Sequence, residues 1–361
     1  MDKKKLEAVL SEMRAGELPQ MIISDPAAIF YLTGKWIQPG ERMLALYLNV
    51  NGGHKLVINR LFPQEKDLGV ELVWYEDTED AAAILSRFVE KDKPIGIDKN
   101  WPARFLLRLQ ELGAGNRFVN GSLIVDDVRM IKNDEEQALM RAASLANDKV
   151  MERLIPLVNQ GYTELELDQK TRELYQESGH SGVSFAPITA YGRSGADPHH
   201  VTDGTRGRRG DSVVLDIGGV LNDYCSDMTR TVFLGEVSDK AREVYEIVRE
   251  AQRRGIEAAK PGNRMCDVDL ACRNYITEKG YGAYFTHRTG HSCGIEDHEY
   301  GDVSSVNEQI IRPGQCFSIE PGIYLMDEGI GVRIEDLVLI TETGCEVLNK
   351  FTKDLIVLPM D

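Results

Sequence analysis

Short apolar runs alternate with longer amphipathic stretches along this chain. Met21-Ile22-Ile23-Ser24 and the run from Met43 to Leu48 read as buried strands. Lys55 to Ile58, Val70 to Tyr75 and Ile95 to Asp98 add three more. Thr78 to Val89 and Trp101 to Leu112 carry helical patterning between them. Strands alternating with helices predict an α/β layer structure for this first third. A boundary is expected near residues 122–132, after which the pattern changes. Asn133 with Glu136 is a capping-box signal for a long helix running toward Leu157. Thr163 with Glu166 repeats the signal for a helix ending at Gly179. Two more helices are predicted, from Ser238 to Lys260 before Pro261-Gly262 and from Asp267 to Lys279 before Gly280. Strand runs cover Ser212 to Ile217, Thr229 to Phe233, Cys316 to Leu325 and Val332 to Thr341. This second part reads as α+β, with antiparallel hairpins covered by helices.

Composition narrows the function classes. The 361 residues are 42% hydrophobic and 28% charged, enough to build two real cores. Asp and Glu number 58 against 42 Lys and Arg, a net charge of -16. A phosphate-binding surface needs the opposite sign, so no nucleic-acid or anionic-membrane partner is expected. The basic run Arg206-Gly207-Arg208-Arg209 falls in a predicted turn and does not change that reading. The six cysteines form no C-x-x-C pair and are too sparse for a disulfide framework. No apolar run follows Met1-Asp2-Lys3-Lys4-Lys5, and no stretch of 18 apolar residues exists. A reducing, cytoplasmic setting is the expectation.

Four carboxylates stand where strands should be buried. Asp216 lies in Val213-Val214-Leu215-Asp216-Ile217-Gly218, and Asp227 just precedes Met228-Thr229. Glu320 interrupts Cys316-Phe317-Ser318-Ile319, and Glu335 follows Gly331-Val332-Arg333-Ile334. A buried carboxylate without a partner is costly, so each needs a counter-charge or a metal. A regular hairpin centred between Leu221 and Asn222 would set Asp216 opposite Asp227. One centred between Asp327 and Glu328 would set Glu320 opposite Glu335. Cross-strand partners lie about 4.5–5.5 Å apart at Cβ. Like charges that close repel unless a cation bridges them, and two matched pairs favour the metal reading over four separate ion pairs. Five of the seven histidines, His199, His200, His287, His291 and His298, fall in the same part of the chain. Such a cluster beside paired carboxylates points to metal binding or acid–base work. His54 and His180 stand alone and carry no such reading.

These residues resemble a known family. Leu215-Asp216-Ile217-Gly218, Asp227-Met228-Thr229-Arg230-Thr231, Gly290-His291, Ile319-Glu320-Pro321-Gly322 and Val332-Arg333-Ile334-Glu335-Asp336 follow the order of the pita-bread metallopeptidases. Within them the chain resembles the prolidase and aminopeptidase P branch, most of all the short bacterial Xaa-Pro dipeptidases. Ser24-Asp25-Pro26, Tyr31-Leu32-Thr33-Gly34 and Glu41-Arg42 resemble the creatinase-type N-terminal domain. The resemblance implies an α+β protein: a smaller α/β creatinase-type domain over residues 1–124, then a pita-bread catalytic domain over 125–361. It implies a homodimer as well.

The family pattern implies five metal ligands, Asp216, Asp227, His291, Glu320 and Glu335, around two divalent ions. Asp227 and Glu335 would bridge, with Asp216 on one ion and His291 and Glu320 on the other. An oxygen-rich set with one imidazole suits Mn or Co and permits Zn or Fe. A hydroxide bridging the ions would attack the carbonyl before proline. Glu320 is implied as proton shuttle, His199 as a substrate contact and His298 as the group stabilising the tetrahedral intermediate. Arg333 is implied to organise the site and can meet a substrate carboxylate. Tyr324 is placed either in the pocket wall or in plain core packing. The sequence departs from the pattern at Ser292-Cys293-Gly294 and at Asp297, where an apolar residue is commoner; Asp297 is expected to raise the pKa of His298. Cys293 would be oxidation-sensitive only if exposed.

The expected activity is hydrolysis of Xaa-Pro dipeptides to release proline. The alternative is an aminopeptidase P acting on longer peptides with proline second. A dipeptidase needs a cation for the substrate carboxylate, for which Arg333, or Arg42 from a neighbouring subunit, is a candidate. A non-catalytic binding homologue is disfavoured because all five ligands are present.

Overall fold

The structure, a computed structural model, describes residues 1–64, 67–198 and 200–360. The chain divides into two compact units, Met1–Arg129 and Met130–Asp361.

The first unit is built on a six-stranded mixed sheet. Its order is Glu71–Tyr75, Lys55–Asn59, Ala45–Asn49, Gln20–Ile23, Pro94–Ile97 and Arg117–Asn120. The last strand and the helices Lys3–Ala15 and Ser122–Met130 are not prominent in the sequence pattern. The predicted helix over 78–89 shrinks to Ala81–Leu85, capped by the Asp80 side chain on Ala83 N. Ser24-Asp25-Pro26 acts as a strand-to-helix joint. Asp25 caps the helix Pro26–Thr33 by accepting from Ala28 N, Pro26 supplies a preset first turn, and Gly34 ends it in the left-handed region at φ 70°. Asp98 fixes the joint by accepting from Ser24 N, Ser24 Oγ and Asp25 N.

In the second unit, two pairs of helices cover β structure. Asp134–Leu154 and Glu164–Glu177 pack through Val150, Leu154 and Leu167 against Val213, Leu215 and Val232. Both predicted capping boxes form, at Asn133/Glu136 and Thr163/Glu166. Asp239–Ala258 and Met265–Glu278 pack through Val244, Val248 and Val268 against Phe317, Ile319 and Val338. Full burial of each such aliphatic or aromatic side chain contributes roughly 1.5–3 kcal/mol. The helices therefore hold the strands from outside and leave the inner strand faces to carry polar chemistry.

The strand registers place that chemistry. Asp216 on Ser212–Ile217 pairs with Thr229 on Met228–Leu234. The predicted direct opposition of Asp216 and Asp227 is therefore corrected. The hairpin turns at Asn222-Asp223, both in the left-handed region at φ 50° and 65°, one position later than expected. Asp227 lies two residues before Thr229, in the link that precedes the strand. Along the other hairpin, Ile319 pairs with Asp336 and Gly322 with Arg333, so Glu320 and Glu335 sit at opposed positions, as expected. The two long predicted strands nonetheless break there, into Cys316–Ile319 and Gly322–Leu325, and Ile330–Arg333 and Asp336–Ile340. Pro321 has no N–H for the ladder. Glu320 N instead donates to Thr289 O at 2.8 Å, and Glu335 N to Thr229 O at 3.1 Å. The breaks tie three strand systems together at the two glutamates.

Candidate metal centre

The breaks open onto a cavity of about 550 Å³ inside the second unit. Asp216, Asp227, His291, Glu320 and Glu335 all line it, with Asp297, His298, Arg333, His287 and Arg288. Phe185, Ile188 and Pro198 supply its apolar wall. His199, the next residue, lies outside the described residues. His200 is drawn elsewhere: its Nε2 meets the buried Glu164 carboxylate at 2.6 Å.

Each side chain is held from behind with one face left free. His291 follows Gly290, where a Cβ would come within 2.0 Å of Ser318 O, so only glycine permits the close approach. His291 Nε2 lies 3.5 Å from Asp227 Oδ2 and 3.5 Å from Glu320 Oε1. Burial pulls the His291 pKa down to about 3, which keeps the imidazole neutral and its lone pair available near pH 7. Ser318 Oγ donates to Glu320 Oε1 at 3.2 Å, and Thr229 Oγ1 to Glu335 Oε2 at 2.6 Å. Arg333 Nη2 donates to Asp216 Oδ2 at 2.5 Å.

Arg333 is fully committed. Besides Asp216, its Nη1 donates to Tyr324 Oη at 2.9 Å and its Nε to Thr229 Oγ1 at 3.2 Å. The substrate-carboxylate contact raised for Arg333 is thus not served by this arrangement, which suits the organising role instead. Tyr324 does not line the cavity; it stands behind Arg333, a function between the two readings left open for it. His287 Nδ1 contacts Arg288 O at 2.7 Å, which requires that nitrogen to donate. Its Nε2 then accepts from Tyr324 Oη at 2.8 Å. A directional chain His287–Tyr324–Arg333–Asp216 results. Nothing in the sequence marked His287 for this part beyond its place in the histidine cluster.

The donor set fits a cation by a direct test. Among the described residues, the buried carboxylate oxygens without a hydrogen-bond partner are Asp216 Oδ1, Asp227 Oδ1, Glu335 Oε1 and Asp297 Oδ1. All four residues line this one cavity. Leaving an ionised carboxylate oxygen buried and unpaired is expensive, and a divalent ion satisfies several at once. Single ligand atoms of Asp227, His291 and Glu335 lie within 4.8 Å of one another, as do those of His291, Asp297 and His298.

Electrostatics agree. Burial pushes the Asp227 and Glu335 carboxyls well above the ordinary range, reinforced by Glu335 for the first and Glu320 for the second. Burial pushes Glu320 up to about 8 against the pull of Arg333, and Asp297 to about 7. The metal-free site therefore holds protons at neutral pH, and a cation must displace them. Affinity for Mn²⁺ should weaken as pH falls from 8 to 6, because protons occupy the same oxygens. Calorimetry in buffers of different ionisation enthalpy should show net proton release on binding; binding without release would contradict the assignment of these oxygens.

Two expectations at the variant positions change. His298, its ring tilted 45° against that of His291 with centroids 3.8 Å apart, has its pKa lowered by loss of hydration and then by Arg288. Asp297 Oδ2 lies 3.4 Å from His298 Nε2, too long for a strong charge-assisted bond, so the predicted rise is not found. Cys293 is fully buried, and burial pushes its thiol well up, which makes it unreactive. None of the six cysteines forms a disulfide among the described residues. No helix among the described residues is long and apolar enough to cross a membrane.

Comparison with known proteins gives this site its class. Residues 138–342 match the model of metallopeptidase family M24, and residues 5–131 that of the Creatinase/Prolidase N-terminal domain. The chain belongs to metallopeptidase family M24, a family of divalent-metal enzymes, with a creatinase-type domain ahead of its catalytic domain. It is 34% identical over 355 residues to an uncharacterized peptidase of Staphylococcus aureus strain USA300, covering 97% of this chain and 99% of that protein. The crystal structure of a recombinant prolidase from Thermococcus sibiricus superposes with a TM-score of 0.93 at 33% identity, covering 99% of this chain and all of that one (100%). An Xaa-Pro dipeptidase from Bacillus anthracis gives a TM-score of 0.90 at 29% identity, covering 98% and 99%. The resemblance drawn from the motifs holds at the level of family and fold.

Proposed function

We propose that this protein is a dinuclear Xaa-Pro dipeptidase that releases proline. The observation that carries the reading is the convergence of partnerless carboxylate oxygens and one neutral imidazole on a single cavity in an M24 chain. The ligands are Asp216, Asp227, His291, Glu320 and Glu335, and manganese suits so oxygen-rich a set. Two bound divalent cations would supply a water acidic enough to ionise near neutral pH and would polarise the scissile carbonyl.

The chain's own residues do the rest. Glu320 Oε1 is held by Ser318, which leaves Oε2 to take a proton from the attacking water and pass it to the proline nitrogen. His298, at the cavity wall, donates to the oxyanion of the tetrahedral intermediate, and His199 contacts the substrate. Arg333 orients Asp216 through its Nη2 hydrogen bond.

Dipeptide preference rests on Arg288. The cations proposed earlier are occupied: Arg333 as described, and Arg42 by Asp77 through two 2.8 Å bonds. Arg288 is exposed, lines the cavity, and has no ion pair or side-chain hydrogen bond among the described residues. It is the free cation that a C-terminal carboxylate of the substrate would meet. Losing that contact should raise KM for Leu-Pro about tenfold to a hundredfold in Arg288→Met, while Leu-Pro amide changes little. Equal losses on both substrates would remove Arg288 from this role.

The reading as a whole is tested by digesting Leu-Pro and Leu-Pro-Gly with Mn²⁺, with and without chelator, and following the products by mass spectrometry. Chelator-sensitive proline release from Leu-Pro is expected. Preferential loss of Leu from the tripeptide would make the enzyme an aminopeptidase P.

A further inference from the structure

Asp297 is the fourth carboxylate with a partnerless buried oxygen, and the only one of the four outside the ligand set named above. It lines the same cavity and its side chain is 12% exposed. Its Oδ2 makes a long 3.4 Å contact with His298, and the other side chain in hydrogen-bonding reach is itself an acid, Asp227, so the carboxyl meets no cationic or neutral donor at short range. A ligand atom of Asp297 lies within 4.8 Å of ligand atoms of both His291 and His298. Arg333, the buried arginine in the wall, is turned to Asp216, Tyr324 and Thr229 through its three nitrogens. No Lys or Arg forms an ion pair with Asp297 among the described residues, and a buried anion must be neutralised by something.

We propose that Asp297 is a sixth ligating side chain of the metal centre, adding a carboxylate oxygen beside Asp227 and His291. The inference rests on the reading of this cavity as a dinuclear site. A further hard oxygen also shifts preference toward Mn²⁺ and away from ions that favour nitrogen and sulfur.

The test is binding, not turnover. Full-length protein stripped of metal is titrated with Mn²⁺ and with Zn²⁺ by calorimetry, as wild type, Asp297→Asn, Asp297→Val and His298→Ala. Loss of one supporting group at a metal centre typically costs about 10–100-fold in affinity. Asp297→Val should lose about that much for at least one Mn²⁺ and less for Zn²⁺, with Asp297→Asn in between. The melting temperature of the metal-free variants should hold or rise, since a buried like charge is removed, while the gain on adding Mn²⁺ shrinks. His298→Ala should keep wild-type affinity; if it reproduces the loss, Asp297 acts by positioning His298 and the ligand assignment fails. Two Mn²⁺ bound with wild-type affinity by both Asp297 variants would also overturn it while leaving the dinuclear reading intact. A wild-type protein that binds no Mn²⁺ would sink both.

Discussion

Asp227→Ala should leave a folded protein with no tight second cation and essentially no peptidase activity. The loss expected in kcat/KM is on the order of a thousandfold or more, since metal charge stabilisation supplies several kcal/mol. The reason is positional. Asp227 is buried, its Oδ2 faces His291 at 3.5 Å, and its Oδ1 has no protein partner. In the metal-free fold its neighbours are His291 and the acids Asp297 and Glu335, which offer it little stabilisation. Burial and the neighbouring Glu335 push its carboxyl well up, so its ionised form is unfavourable there. The metal-free variant should therefore melt at or above the wild-type temperature, while the stabilisation that Mn²⁺ gives the wild type disappears. Thermal melts with and without Mn²⁺, beside Leu-Pro turnover, check both halves. Full retained turnover would remove Asp227 from the centre; a collapsed metal-free fold would make its role structural.

Arg230→Met should behave in the opposite way and strongly destabilise the second unit. Arg230 is 2% exposed and Asp336 is 0% exposed. Arg230 Nη2 meets Asp336 Oδ1 at 2.7 Å, its Nη1 donates to Glu335 O at 2.6 Å and Thr229 O at 2.9 Å, and its Nε to Thr352 O at 3.0 Å. Asp336 Oδ2 also accepts from Lys353 and Gln252. Burial pushes Asp336 up, but Arg230 and Lys353 outweigh it and hold the carboxyl below its usual range. That contribution is full at neutral pH and is lost as pH falls through the lowered value. Breaking a buried pair by removing one partner costs about 3–5 kcal/mol. In a unit of this size that is roughly 6–20 °C of melting temperature. Because Arg230 also fixes the backbone at Thr229 and Glu335, Mn²⁺ affinity should fall with stability. Calorimetric melts of Arg230→Met and of the double variant with Asp336→Leu separate the effects, as the double variant should recover part of the loss. A shift of under about 2 °C in the single variant would contradict the reading.

Much of this site was legible because its signals are local. An acid inside an apolar run is conspicuous whatever the fold, and Asp216, Glu320 and Glu335 stood out for that reason. Capping boxes at Asn133 and Thr163 are four-residue signals and formed as read. The turn near Asp327 is symmetric, so its register could be counted; the one at Asn222-Asp223 has two left-handed residues that are not glycines, and the count slipped. What stayed hidden depends on contacts far apart in sequence. The breaks at Glu320 and Glu335 exist because their amides serve Thr289 and Thr229. The engagement of Arg333 requires Tyr324, Thr229 and Asp216 to meet from three strands. Asp297 was visible as an odd residue, but only its burial and its partnerless oxygen give the oddity a chemical meaning.

The central claim is that the cavity holds two divalent cations between these carboxylates. Crystals grown with Mn²⁺ and measured at the manganese absorption edge test it most directly. The account predicts two anomalous peaks in the cavity, each within bonding distance of Asp227 and Glu335. A map with no peak there, or with manganese only on surface carboxylates, would contradict it.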